Sequence, residues 1–154
     1  MCIRDSIKPD SFEKIYGVDI NKEYLKECTA RYKSINNILE CLCIDLTNNA
    51  SQLPYADIVV ADLLVEYIGY ECFRKIIGKV NPKYVSCVIQ INTDVDFVSD
   101  SPYLHVFDGL NSIHYQMNED ELSASMLSIS YRLTDKSENI LPNGKKLVRL
   151  DFQK

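Results

Sequence analysis

The sequence predicts an α/β fold, with a mostly parallel sheet that ends in an antiparallel hairpin at the C-terminus. Two observations support this. Short apolar runs typical of strands alternate with helical patterns along most of the 154 residues, and the C-terminal part changes to two predicted strands around a Pro-Asn-Gly turn. The composition, with 46% hydrophobic and 25% charged residues, is that of an ordinary globular domain.

The first predicted elements form a strand–helix–strand unit. KIYGVDI at 14–20 is rich in β-branched and aromatic residues and predicts a strand. A helical pattern follows at 22–32 behind Asn21, a residue type that caps helix N-termini well. NILECLCIDL at 37–46 predicts the second strand, which ends in Asp45. A polar turn then leads out of this unit.

The next predicted elements repeat the alternation. ADIVVADLL at 56–64 predicts a third strand whose continuous apolar run favours burial on both faces. A helical apolar stripe at 66–80 leads to a fourth strand at 82–92. The acidic start of NEDELSASMLSISY at 118–131 predicts another helix. In the final strand Val148, Leu150 and Phe152 alternate with polar residues, as expected of a half-exposed antiparallel strand.

Composition and charge exclude several classes of protein. The net charge of -5 argues against nonspecific nucleic-acid binding, and no apolar run approaches the roughly 18 residues that span a bilayer. The N-terminus lacks the pattern of a secretory signal, so the chain is interpreted as cytoplasmic. MCIRDS at 1–6 matches no structural pattern and resembles a translated sequencing adapter, which leaves 7–154 as a single domain with an incomplete N-terminus.

The cysteines predict packing rather than metal binding. There are six, none in a C-x-x-C pair, and Cys41 and Cys43 fall on the same face of a predicted strand. His105 and His114 are far from them in sequence. We therefore interpret the thiols as core side chains and predict no metal site.

Carboxylates end three successive predicted strands: Asp19, Asp45 and Asp62. Ligands of an open parallel sheet bind outside these ends, where a carboxylate can accept both hydroxyl hydrogens of a ribose. Each aspartate has a structural alternative as a helix cap or turn former, and DLTNN after the second strand is good turn chemistry. Asp62 lies among apolar residues, where a carboxylate needs a partner. Glu66 either caps the following helix or faces a substrate.

This order of motifs resembles the class I S-adenosylmethionine-dependent methyltransferases, which have a Rossmann-like sheet. YGVDINKEYL is similar to their second strand, CIDL to their third, and ADIVVADLLVEYIG to their fourth; the reversed last strand also agrees. The resemblance implies that Asp19 holds the cofactor ribose, that Asp45 contacts the adenine, and that Asp62 faces the methyl group. The implied cofactor-binding residues are Asp19, Ile20, Asp45, Leu46, Asp62 and Leu63.

Two departures from the family qualify these expectations. The family's first strand and glycine-rich loop are absent from this chain, which should weaken folding and cofactor binding. ADLLVEY replaces the Asn/Asp-Pro-Pro-aromatic signature of many amino-group methyltransferases, which argues against N-methylation of a nucleobase or glutamine. The expected substrate-binding residues are Glu66, Tyr67, Tyr103 and His105, and the candidates for a catalytic group are Asp62, His105 and His114.

The sequence therefore predicts a methyltransferase that moves a methyl group from S-adenosylmethionine to an unidentified acceptor, with no membrane or nucleic-acid partner indicated. A nicotinamide-dependent oxidoreductase is one alternative, because it also places an acid at the end of its second strand; the final hairpin speaks against it. A catalytically silent interaction module that keeps the same fold is the other alternative.

Overall fold

The computed structural model describes residues 11–91, 115–142 and 144–154. The chain divides into two compact units, Met1–Gln52 and Leu53–Lys154. That residues 7–154 form a single domain stays a prediction.

The first unit is a parallel strand–helix–strand motif. Strand β1 (Ile15–Asp19) leads into helix α1 (Lys22–Arg31), a short 3-10 helix (Lys33–Ile35) and strand β2 (Leu39–Cys43). The two strands pair in parallel, so that the last residue of each, Asp19 and Cys43, lie opposite one another. A short helix α2 (Leu46–Asn49) and a 3-10 helix (Ala50–Gln52) complete the unit.

Asn21 begins α1 as the sequence predicts. Its side-chain Oδ1 accepts hydrogen bonds from the backbone N–H groups of Glu23, at 2.9 Å, and Tyr24, at 3.4 Å. These are two of the N–H groups that have no partner inside a helix, and an asparagine in extended conformation is well suited to satisfy them. The start of α1 is therefore fixed at Lys22, three residues after Asp19.

The second unit holds a four-stranded mixed sheet. Strand β3 (Ile58–Asp62), helix α3 (Val65–Val80) and strand β4 (Tyr84–Ile91) precede helix α4 (Glu119–Leu127), and strands β5 (Arg132–Ile140) and β6 (Lys146–Gln153) follow. The strand order is β3-β4-β6-β5. β3 and β4 are parallel, whereas β6 is antiparallel to both of its neighbours. The predicted α/β fold and its C-terminal antiparallel hairpin are confirmed.

The core of the second unit lies between one face of this sheet and helices α3 and α4. The predicted alternation in β6 is confirmed, because Val148, Leu150 and Phe152 are buried while Arg149 and Asp151 between them are only partly buried. The largest fully buried side chains of the core are Tyr131, Phe73, Phe152, Ile77, Ile89, Leu122, Met126 and Leu150. The hydroxyl of Tyr131 donates a hydrogen bond to the carbonyl of Pro82 at 2.6 Å, which satisfies its polar end inside the core.

The prediction that β3 is buried on both faces is wrong. Ala61 is buried, but Ile58 is 48% exposed and Val60 is 54% exposed. Successive side chains of a strand point to opposite faces of the sheet, so the apolar run supplies the core from one face only. An unbroken apolar run does not by itself show whether a strand is buried on both faces or on one face only.

The prediction that the cysteines are core thiols holds for Cys87 and fails for Cys43. Cys87 is buried, and this burial raises the pKa of its thiol to about 12. Cys43 is exposed at the end of β2, where its thiol donates to the carbonyl of Ile20 at 3.5 Å. The two-stranded sheet of the first unit leaves its strands only partly covered, so alternation there does not ensure burial.

Helix α3 is interrupted at Gly69. This residue has φ 74° and ψ 164°, a backbone conformation open essentially to glycine alone. A Cβ placed on it would lie 3.2 Å from the ring of Tyr115. The first turn of α3 is therefore a separate segment from the regular helix that follows.

Substituting Gly69 by alanine is expected to destabilise the protein by about 1–3 kcal/mol, because alanine must adopt a left-handed conformation there. Urea unfolding followed by circular dichroism measures the change. Gly78→Ala is the matched control, since Gly78 lies in the same helix with no atom within 4 Å of the added Cβ. That control should be neutral or stabilising by up to about 1 kcal/mol. Equal effects of the two substitutions would contradict the expectation.

Candidate functional site

Asp19 lies half-buried at the carboxyl end of β1 with one carboxylate oxygen already bonded. Its Oδ1 accepts a hydrogen bond from the backbone N–H of Asn21 at 2.7 Å. No residue in the described part of the chain donates a hydrogen bond to Oδ2. The carboxylate is therefore oriented by the start of α1 while a second oxygen stays available to a hydroxyl donor.

Asp45 lies beyond the end of the neighbouring strand and is engaged locally. Its Oδ1 accepts from the backbone N–H and the hydroxyl of Thr47, at 3.0 Å and 2.6 Å, and its Oδ2 accepts from the side-chain amide of Asn48 at 2.7 Å. The hydrogen bonds from Thr47 are the main cause that lowers the pKa of this carboxyl. Asp45 thus caps α2, which is the structural alternative for this residue, and its contact with an adenine stays a prediction.

Two apolar residues follow these acids directly. Ile20 is 67% exposed and Leu46 is half-buried. Because β1 and β2 are parallel neighbours, Asp19 and Asp45 follow strands that end at the same edge of the sheet. This edge of the first unit therefore combines carboxylates with exposed apolar surface, which is the combination that a nucleoside requires.

The sequence argument for Asp62 is wrong in its premise. Asp62 ends β3 but is exposed, so no desolvation has to be compensated by a partner. The next residue, Leu63, has φ 53°, in the left-handed region that leucine rarely adopts. Its backbone N–H donates to the carbonyl of Val88 on the adjacent strand at 2.9 Å, which holds it there. Strained backbone of this kind is often found at ligand sites.

Glu66 does not cap α3, so that alternative is wrong. The N-cap position is Leu64, which makes no side-chain capping bond. Glu66 is only 1% exposed, and its Oε1 accepts a hydrogen bond from the backbone N–H of Gln90 on β4 at 2.6 Å. Its Oε2 is buried and has no hydrogen-bond partner among the residues that the structure describes. Burial raises the pKa of this carboxyl above its ordinary value.

The segment that follows residue 114 is fixed against the start of α3. The backbone N–H of Tyr115 donates to the carbonyl of Glu66 at 2.8 Å, and its ring lies on Gly69. The hydroxyl of Tyr70 accepts from the backbone N–H of Asn118 at 2.6 Å. The first turn of α3 therefore brings together Glu66, the partly exposed Tyr67 and Tyr115 at the carboxyl end of the parallel strands.

Three predicted site residues, Tyr103, His105 and His114, lie outside the described residues. Within 11–91, 115–142 and 144–154, no group of three or more His, Cys, Asp or Glu side chains could hold a metal ion. Over the same residues, no helix combines the length and the hydropathy that a membrane span needs.

Sequence reasoning missed the strain at Leu63, the break at Gly69 and the bond from Glu66 to Gln90. A glycine inside a helical pattern was the available signal for the break. A leucine in a left-handed conformation leaves no such signal, because its conformation is set by the bond to the neighbouring strand.

The fold is that of the class I S-adenosylmethionine-dependent methyltransferases. The Mg-protoporphyrin IX methyltransferase ChlM of Synechocystis PCC 6803, with bound SAH, is similar at a TM-score of 0.63 and 13% identity over 95% of this chain and 66% of that one. The chain covers 62% of the same enzyme with bound SAM. It thus spans less than two thirds of the length of these structures.

Two other solved structures extend this comparison. The methyltransferase domain of bacterial CtHen1 is similar at a TM-score of 0.66 and 15% identity over 94% of this chain and 78% of that domain. The [4+2]-cyclase SpnF is similar at a TM-score of 0.63 and 11% identity over 92% and 66% of the two chains. No protein-family model matches the chain, and the search of curated proteins finds no significant match.

Proposed function

We propose that this chain binds S-adenosylmethionine and supports transfer of its methyl group to an acceptor. The observation that carries the proposal is Asp19, an oriented carboxylate with an available oxygen at the end of β1, in a fold shared with structures that hold SAH or SAM. The activity of the whole protein is part of the proposal, since the chain spans 66% of the length of ChlM.

In the first unit, the ribose and adenine of the cofactor would be held at the carboxyl ends of β1 and β2. Asp19 Oδ2 accepts a ribose hydroxyl, while Ile20 and Leu46 offer apolar surface to the adenine. In the second unit, Asp62 and Leu63 are assigned to the reactive end. Asp45 is assigned to the adenine as well, although the donors from Thr47 and Asn48 already occupy both of its oxygens.

When bound, S-adenosylmethionine supplies a methyl group on a sulfonium, which an acceptor displaces in line. The work left to the protein is to position the two reactants and exclude water. We assign the acceptor to the first turn of α3, where Glu66 and Tyr67 lie, and include Tyr103 and His105 in the same role. Asp62, His105 and His114 stay the candidates for a group that removes a proton from the acceptor.

Isothermal titration calorimetry of the chain with S-adenosylhomocysteine tests cofactor binding. We expect saturable heat, because the ribose and adenine contacts are the same for the product as for the cofactor. NAD titrated under identical conditions is the comparison, and it should give no saturable heat. Absence of heat with S-adenosylhomocysteine at high micromolar protein would overturn the proposal, and saturable heat with NAD would instead favour the nicotinamide-dependent alternative.

A ligand-binding protein without methyl transfer is the second candidate. The chain is similar in fold to SpnF, which is named a [4+2]-cyclase, and one fold can host several activities. This similarity supports the second candidate. Incubation with methyl-labelled S-adenosylmethionine and a cell extract separates the two candidates. Transfer of label to an acceptor supports the methyltransferase, whereas cofactor binding without transfer supports the second candidate.

A further inference from the structure

Glu66 is the one acidic side chain among the described residues that is almost completely buried. It takes part in no ion pair with the described lysines and arginines. Buried acidic residues are rare unless they are paired. Glu66 has one oxygen bonded from β4, and its second oxygen has no partner in 11–91, 115–142 or 144–154. Neither helix capping nor an ion pair accounts for its position.

The contacts of Glu66 connect three parts of the second unit. It is the second residue of α3, and its Oε1 is bonded at 2.6 Å to the N–H of Gln90, the next-to-last residue of β4. Its carbonyl accepts from the N–H of Tyr115 at 2.8 Å. Because Gly69 interrupts the helix directly afterwards, the first turn of α3 depends on these contacts more than on the rest of the helix.

Burial disfavours the ionised form of Glu66, and hydrogen bonding from the backbone N–H groups of Gln90 and of Glu66 itself offsets this only in part. Among the described residues, Cys87 on β4 and Tyr70 on α3 have their pKa raised mainly by burial and to a lesser degree by the charge of Glu66. The charge of Asp62, at the end of β3, also raises the pKa of Cys87. The charge of Glu121, on α4, also raises the pKa of Tyr70. All four groups are acidic, so none of them compensates a buried negative charge.

We propose that Glu66 is a protonation-controlled latch, which holds the first turn of α3 to the carboxyl end of β4 as the neutral acid and releases it on ionisation. In the neutral form the Oε1 carbonyl accepts from Gln90 and the group carries no charge. In the ionised form a buried carboxylate retains an oxygen that no donor satisfies, which favours movement of the side chain toward water. The first turn of α3, with Glu66 and Tyr67, then loses its anchor on β4.

The direction of the pH dependence follows from burial. Because the pKa of Glu66 is raised in the folded state, the folded protein binds more protons than the unfolded chain above the ordinary pKa of a glutamate. The contribution of Glu66 to stability is therefore fully present below that ordinary value. This contribution is lost as the pH rises through the raised pKa of Glu66 in the folded state. Above that pKa, the stability no longer changes with the ionisation of Glu66.

Two measurements on the full chain test the latch. A ¹³C NMR titration of the Glu66 carboxyl should give a midpoint above that of exposed glutamates. Thermal unfolding is then measured between pH 4 and 9. Between the ordinary pKa of a glutamate and the raised pKa of Glu66, the melting temperature of the unmodified chain should fall relative to that of Glu66→Gln by roughly 3–5 °C per pH unit. The amide of this variant imitates the neutral acid, so its melting temperature should lack that decrease.

Glu71→Gln is the matched control, because Glu71 lies on the same helix but is exposed and paired with Lys75 at 2.8 Å. This control should keep the decrease seen in the unmodified chain. Parallel pH profiles of the unmodified chain and Glu66→Gln would overturn the latch, as would an ordinary titration midpoint of the Glu66 carboxyl. The NMR titration needs no variant, so it decides the question even if Glu66→Gln does not fold. Neither measurement depends on cofactor binding.

Discussion

Replacing Phe152 by alanine is expected to lower the free energy of unfolding by about 3–5 kcal/mol. Phe152 is 1% exposed and lies in β6, between Val85 of β4 and Leu133 of β5. Truncation leaves a cavity in the core between the sheet and helices α3 and α4, because the surrounding side chains relax only partly into it. Natural domains are stable by only about 5–15 kcal/mol, so this single change removes a large share of the total.

Urea unfolding followed by circular dichroism measures this effect. Leu133→Ala is the control, because Leu133 lies opposite Phe152 in the sheet register but is 43% exposed on the edge strand β5. Its truncation should cost less than about 1 kcal/mol. Equal shifts of the urea midpoint for the two substitutions would contradict the expectation that Phe152 lies in the core and Leu133 outside it.

The second large effect concerns cofactor binding. Asp19→Ala is expected to weaken the binding of S-adenosylhomocysteine by about 1.5–3 kcal/mol, which corresponds to roughly tenfold to more than a hundredfold in affinity. The reason is that Asp19 Oδ2 is the available acceptor at the end of β1, and a hydrogen bond to a charged group is stronger than one between neutral groups. Calorimetry gives the two dissociation constants directly.

Asp57→Ala is the charge-matched control for this measurement. Asp57 is exposed directly before the first residue of β3, and its carboxylate accepts from the hydroxyl of Tyr55 at 2.9 Å. Its removal changes the net charge equally and should leave the affinity within twofold. Unchanged binding by a folded Asp19→Ala variant would refute the ribose assignment, whereas equal losses in both variants would indicate a general electrostatic effect.

The secondary structure could be predicted from the sequence where it is determined by local interactions. Asn21 caps α1 because a short polar side chain before a helical pattern satisfies free N–H groups whatever the tertiary context. The alternation of β6 was equally informative, because Leu150 and Phe152 can be buried together on one face only when the strand is extended.

The candidate site was less predictable, because its chemistry depends on partners distant in sequence. Glu66 was identified as a site residue or a cap, but its bond to Gln90 joins residues 24 positions apart. The exposure of Asp62 and Cys43 depends on what covers each strand end, which periodicity does not report. Local turn chemistry was a correct guide at Asp45, where the carboxylate accepts from the side chains of Thr47 and Asn48.

The exposed face of β3 also affects how separate molecules meet. Among the described residues β3 is hydrogen-bonded to β4 alone, and it presents the apolar Ile58 and Val60 to solvent. An unpaired strand edge with apolar side chains is a template for another strand, and natural proteins usually protect such edges with charge or proline. β3 has neither between its first residue and Asp62. We therefore expect this strand to promote association between molecules as the protein concentration rises.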